Sequence, residues 1–155
     1  MITIQAKRVK YPEGGKKIIQ QSIFLTLKEV GNSEKNSVTV MLVDNEFQQS
    51  LNRDFRSIDK PTDVLSFPSG ELLPDGEGLY LGDIVISLPI AVQQALDAAH
   101  PLGNELALLS IHGTLHLLGF DHDTPIAKRE MWELQTRILM KMGIEMERCS
   151  GDADE

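Results

Sequence analysis

Three of the chain's four histidines fall within eleven residues, in the stretch HGTLHLLGFDHD from His112 to Asp123. The run NELALLSIHGTLHL that leads into it is strongly apolar and predicts a helix from about Asn104 to Leu118. On a helix, His112 and His116 share a face one turn apart, so both imidazoles reach a single point. Gly119 follows three residues later. A glycine adopts the left-handed conformation that ends a helix and turns the chain. The chain then doubles back and presents His122 to the same point. Any fold for this sequence has to hold a helix end, a tight turn and a returning segment together.

The spacing H-x-x-x-H-x-x-G-x-x-H matches that of the metzincin proteases except at Gly113, where they carry glutamate. Three neutral imidazoles suit zinc, or another first-row divalent metal. Structural zinc sites close with four ligands, often cysteines, whereas catalytic sites keep a position open. The single cysteine, Cys149, lies far along the chain, so His112, His116 and His122 read as the ligands of an open, catalytic site. Asp121 and Asp123 flank His122 and can orient an imidazole or stand as a fourth ligand. His100, isolated before Pro101, reads as a loop or surface residue.

The missing glutamate limits the chemistry. In H-E-x-x-H proteases it is the general base for the attacking water. Gly113 cannot serve, and Glu105 lies about 10 Å earlier along the helix axis, where it reads as a first-turn acid facing the dipole. A metalloprotease-like hydrolase would need its base from elsewhere. Phosphodiester cleavage needs none if a metal activates water and an arginine grips the phosphate. The segment LNRDFRSIDKPTDVLSFPSG offers Arg53, Arg56 and Lys60. The same cations also read plainly as the C-terminal end of a helix, followed by a turn.

The rest of the chain alternates short strands and helices. Strands are expected at Ile2–Ala6, Ser37–Asp44, the TDVLSFP segment closed by Pro68, and Leu79–Ser87. SGELLPDGEG reads as a loop. Helices are expected over KKIIQQSIFLTLKEV stopped by Gly31, from Asn45 to about Phe55 capped by Asp44, and over LPIAVQQALDAA. A last helix is capped by Thr124 and Pro125 and stopped by Gly143. Its apolar stripe of Trp132, Leu134, Ile138 and Met142 reads as core, with a partner-docking face as the alternative. The pattern predicts a single α+β domain over 1–144, a small mixed sheet packed on helices. Residues 145–155 carry five acids against one base, half of the net charge of -8, and are expected to form a flexible acidic tail. That charge argues against a broad basic footprint for nucleic acid. One cysteine, and no basic-then-apolar leader at the start, lead us to expect a reducing, cytoplasmic setting. No apolar run approaches the ~18–20 residues a membrane span needs.

Taken together, LNRDFRSIDKPTDVLSFP, LGDIVIS and HGTLHLLGFDHD resemble the YbeY family of bacterial metal-dependent endoribonucleases, strongly over residues 51–123. The resemblance implies a zincin-like α+β fold. It implies His112, His116 and His122 as zinc ligands and Arg56 as the functional arginine, with Arg53 and Lys60 expected to assist substrate binding. It further implies cleavage of single-stranded RNA in maturing the 3′ end of small-subunit ribosomal RNA, and a role in ribosome quality control, with the ribosome or its small subunit as partner. Phe120 stands where the family commonly has tyrosine, so a hydroxyl beside the site is absent. A non-catalytic, ribosome-associated metal-binding module is the other reading.

Overall fold

The computed structural model describes residues 1–146, so all but the first two residues of the expected acidic tail, Cys149 included, lie outside the described residues. Among the described residues the order is β1 (Ile2–Lys7), α1 (Gly15–Glu29), β2 (Ser37–Val43), α2 (Asn45–Arg56), β3 (Val64–Leu72), β4 (Leu79–Ser87), α3 (Leu88–Asp97), α4 (Leu102–Leu117) and α5 (Pro125–Lys141). The helix starts follow local chemistry. The side chains of Asp44, Ser87 and Thr124 accept from the backbone N–H groups of Phe47, Ile90 and Ala127.

The strands form one mixed sheet in the order β1-β2-β4-β3. β1, β2 and β4 are mutually parallel, and β3 runs antiparallel to β4 at the sheet's edge. Alternation along the strands divides the core. Val38, Val40, Leu42, Ile84 and Ile86 pack on one face against Ile19 and Ile23 of α1, Ala91 of α3, and Leu106 and Leu109 of α4. Val43, Leu65 and Val85 pack on the other face against Phe47 and Leu51 of α2. α5 adds an outer layer on α4, where Met131, Ile138 and Leu139 meet Leu108, Ile111 and Leu115. Ile138 of the C-terminal stripe is thus core, and Trp132, Leu134 and Met142 pack against it.

One expectation is corrected. Pro68 does not close β3, which continues to Leu72. An edge strand has a partner on one side only, and the register shifts between Pro68 and Glu71, so the missing proline N–H is accommodated. His100 lies in the connection between α3 and α4, as a loop residue, and Glu105 is in the first turn of α4, as expected. The His100 side chain is mostly buried, with Nε2 3.3 Å from Oε2 of the fully buried Glu105. A buried carboxylate is costly unless partnered, which accounts for the histidine beside it.

Two glycines set how closely these layers approach. At Gly82 in β4, φ is +141°, and an added Cβ would lie 2.3 Å from the carbonyl oxygen of Phe67 and 2.9 Å from Leu117 Cδ2. At Gly113 in α4, a Cβ would lie 2.8 Å from Ile84 Cγ2. The two together let α4 lie close on the sheet beside β3.

Candidate metal centre

The candidate metal site is built on the exit of α4. His112 and His116 project from its last turns, and Gly119, with φ +96°, turns the chain beyond them. Backbone N–H groups of Gly119 and Phe120 bond to the carbonyls of His116 and Leu115, which locks the turn. His122 then returns over the helix end. One ring nitrogen from each of His112, His116 and His122 lies within 4.8 Å of the other two, the one such group among the described residues. Nε2 of His116 faces Nε2 of His112 at 3.0 Å, close to the ~3.3 Å separation of two nitrogens on one tetrahedral zinc ion.

The surroundings fit a cation. Nε2 of His122 is buried and has no hydrogen-bond partner among the described residues, which is costly for a polar atom unless something else completes it. His112 is fully buried, and its Nδ1 lies 2.5 Å from Gln135 Oε1. An amide oxygen only accepts, so Nδ1 carries the proton and Nε2 keeps the lone pair a metal needs. Trp132 packs edge-on against both rings, 5.7 Å from His112 and 5.6 Å from His122. Asp121 and Asp123 stand outside the nitrogen cluster. Asp121 Oδ1 accepts from the backbone N–H of His122 at 2.8 Å and so steadies the returning segment.

The cluster opens into a cleft of about 350 Å³ lined by Arg56, Leu65, Ser66, Pro68, His116, Gly119, Phe120, Asp121 and His122. Its position follows from the topology. β3 is the free edge of the sheet, with α4 on one face and α2 on the other, so the helix ends meet across that edge. Arg56, the last residue of α2, reaches the cleft with Nη1 3.5 Å from Asn52 Oδ1. Asn52 is buried and donates to the carbonyl of Lys60 at 2.8 Å, which ties the helix to the following loop. Ser66 Oγ donates to the carbonyl of Gly113 at 3.1 Å and holds β3 to α4. Arg53 does not line the cleft. It is half-exposed and sits 3.3 Å from Asp54 and 3.9 Å from Asp59. Lys60 lies in the loop beyond α2 and does not line the cleft either.

The sequence assigned no role to Gln135 or Ser66, and it offered Trp132 only as part of an apolar stripe. Gln135 left one signal: it shares the buried face of α5 with Met131 and Ile138, and a glutamine at a core position needs a polar partner. The partner, twenty-three residues away, appears only on folding.

The family model described as Endoribonuclease YbeY matches residues 1–143. The Endoribonuclease YbeY of Caldicellulosiruptor bescii is 42% identical over 149 residues, covering 90% of this chain and 94% of the relative. That of Carboxydothermus hydrogenoformans is 47% identical over 128 residues, covering 83% and 86%. Among solved structures, the solution structure of TM1509 from Thermotoga maritima matches with a TM-score of 0.58 and 27% identity over 92% of each chain. A family model spanning nearly all the described residues and relatives more than two-fifths identical lead to one assignment: the chain belongs to the YbeY family.

Proposed function

We propose that this chain is a divalent-metal-dependent endoribonuclease that cuts single-stranded RNA in the cytoplasm, with zinc as its ion and small-subunit ribosomal RNA as its substrate. The observation that carries the reading is a cluster of three imidazoles, two of which line a cleft shared with an arginine. Two relatives named Endoribonuclease YbeY support it at 42% and 47% identity.

His112, His116 and His122 hold the ion. Bound there, a divalent ion supplies Lewis-acid activation of water and neutralises charge on a phosphoryl oxygen. Gln135 keeps His112 in the tautomer that ligates, and Asp121 steadies the backbone that carries His122. Arg56 grips the scissile or neighbouring phosphate through its guanidinium fork, which stays charged at every working pH. Asn52 orients that fork. Arg53 and Lys60 attract flanking phosphates from outside the cleft, as local cations on a chain of net negative charge. The proteolytic alternative is disfavoured by Gly113, whose missing side chain would run into Ile84 of the sheet and not toward a substrate.

The test is cleavage of end-labelled single-stranded RNA, with and without chelator, beside His116→Ala and Arg56→Ala purified identically. The expected result is cleavage that needs metal, vanishes in His116→Ala and falls steeply in Arg56→Ala with metal content intact. Equal cleavage by His116→Ala would overturn the assignment. A metal-loaded protein that melts on chelation yet turns over no RNA would be the ribosome-bound module instead.

A further inference from the structure

The last turn of α2 carries an aromatic ring that the core does not use. Phe47 and Leu51 of the same helix pack on Val43, Leu65 and Val85. Phe55 does not: it is 69% exposed, the most exposed aromatic side chain among the described residues. It is nevertheless held in place. Its ring sits 5.6 Å from that of Phe67 at an interplanar angle of 68°, an edge-to-face pair, and Phe67 packs in turn on the cluster beneath. The position matters more than the exposure. Phe55 immediately precedes Arg56, and Phe67 lies between Ser66 and Pro68, and those three neighbours all line the cleft. Neither ring lines the cleft itself, but each is next in sequence to residues that do.

We infer that Phe55, braced by Phe67, is the platform on which an unpaired RNA base stacks beside the phosphate held by Arg56, and that this contact selects single strands. The inference rests on the nuclease reading above. Base–aromatic stacking tolerates any sequence, because every base has a π-face, and it is available only where the base is not already stacked in a duplex. It also supplies affinity that phosphate attraction cannot: the net charge of -8 leaves little long-range pull on a polyanion. A ring at the phosphate site fixes the register of the strand as well as its affinity, which brings one phosphodiester to the histidine cluster.

The experiment measures binding of a short fluorescent single-stranded RNA by anisotropy on the full chain in chelator, where no cutting occurs. It uses wild type, Phe55→Ala and Phe55→Trp, with a series of RNAs that each lack one base. Phe55→Ala is expected to weaken binding roughly 5- to 100-fold, and Phe55→Trp to restore it. In wild type one abasic position costs a similar factor, and in Phe55→Ala that position costs nothing further. The metal-loaded enzyme gives a second readout: kcat/KM for single strands falls in Phe55→Ala and recovers in Phe55→Trp, while bound metal holds. Wild-type binding by Phe55→Ala would make the ring a protein contact and overturn the inference while leaving RNA cleavage in place. An equal abasic penalty in both proteins would overturn it too. Wild type that neither binds nor cuts RNA would overturn the nuclease reading and this inference with it.

Discussion

Nδ1 of His112 and Oε1 of Gln135 meet at 2.5 Å in the fully buried layer between α4 and α5. The contact fixes the tautomer of the deepest histidine before any ion arrives. Gln135→Leu is expected to lower metal affinity about 10- to 100-fold with the ligand set unchanged. Competition against a chromogenic chelator reads this directly. Gln135→Glu, which still accepts from Nδ1–H, should recover most of it.

Arg56 and Arg53 stand on the same last turn of α2 but face different surroundings. Arg56 lines the cleft, whereas Arg53 is half-exposed beside Asp54 and Asp59. Arg56→Ala should cut kcat/KM by ~100-fold or more, as loss of a charged contact at a reacting phosphate does. Arg53→Ala and Lys60→Ala should each cost only a few-fold, and that cost should fade as salt rises. Rates measured across a salt series separate the two behaviours.

Gly82 presses against the carbonyl of Phe67 at a φ that side chains rarely adopt. Gly82→Ala should destabilise the protein by about 2–5 kcal/mol, from backbone strain plus overpacking. Because the clash pushes β3 outward, cleavage should fall further than stability alone accounts for. Chemical denaturation and RNA cleavage, measured on the same preparation below its melting temperature, would show both.

Placing the protease glutamate at position 113 should not create a protease. Gly113→Glu sets a carboxylate against Ile84 in the core, where burial without a partner costs several kcal/mol. The expected outcome is a sharply lowered melting temperature and no cleavage of a peptide library by whatever folded protein remains. Peptide turnover by this variant would mean that the cleft is a peptidase site lacking only its base.

Glu29 ties α1 to α5 through Lys141 and, at 3.3 Å, Arg137. The hydrogen bond from Lys141, chiefly, holds the Glu29 carboxyl below its ordinary value of 4.5 against the opposing effect of desolvation. A depressed folded-state pKa gives stability that is present above the unfolded value and is lost as pH falls through the folded one. Wild type should therefore exceed Glu29→Gln in stability at neutral pH, with the margin shrinking once the pH drops below about 4.5. Urea midpoints at neutral and acidic pH test the sign.

The histidine spacing, the glycine turn after it and the caps at Asp44 and Thr124 are local facts, settled within a few residues by helical period and hydrogen bonding. The sequence could therefore specify the histidine-bearing face of α4 and the turn that returns His122 without knowledge of the rest. It also announced a mixed sheet, because its strands and helices were separable by pattern. It was misleading at Pro68, since a proline ends a central strand but not an edge strand, and edge position is a property of the whole sheet. It placed His100 in a loop but was silent on its contact with Glu105, which exists only once α4 is buried. It was silent on Gln135, on the packing of Trp132 against the histidines and on the Phe55–Phe67 pair, each joining elements distant along the chain. The contacts of Gln135 and Trp132 exist because α5 packs on α4, and that of Phe55 with Phe67 because β3 ended at an edge of the sheet beside α2. Packing, which is long-range and non-directional, made that choice, and with it the cleft where the chemistry is proposed to occur.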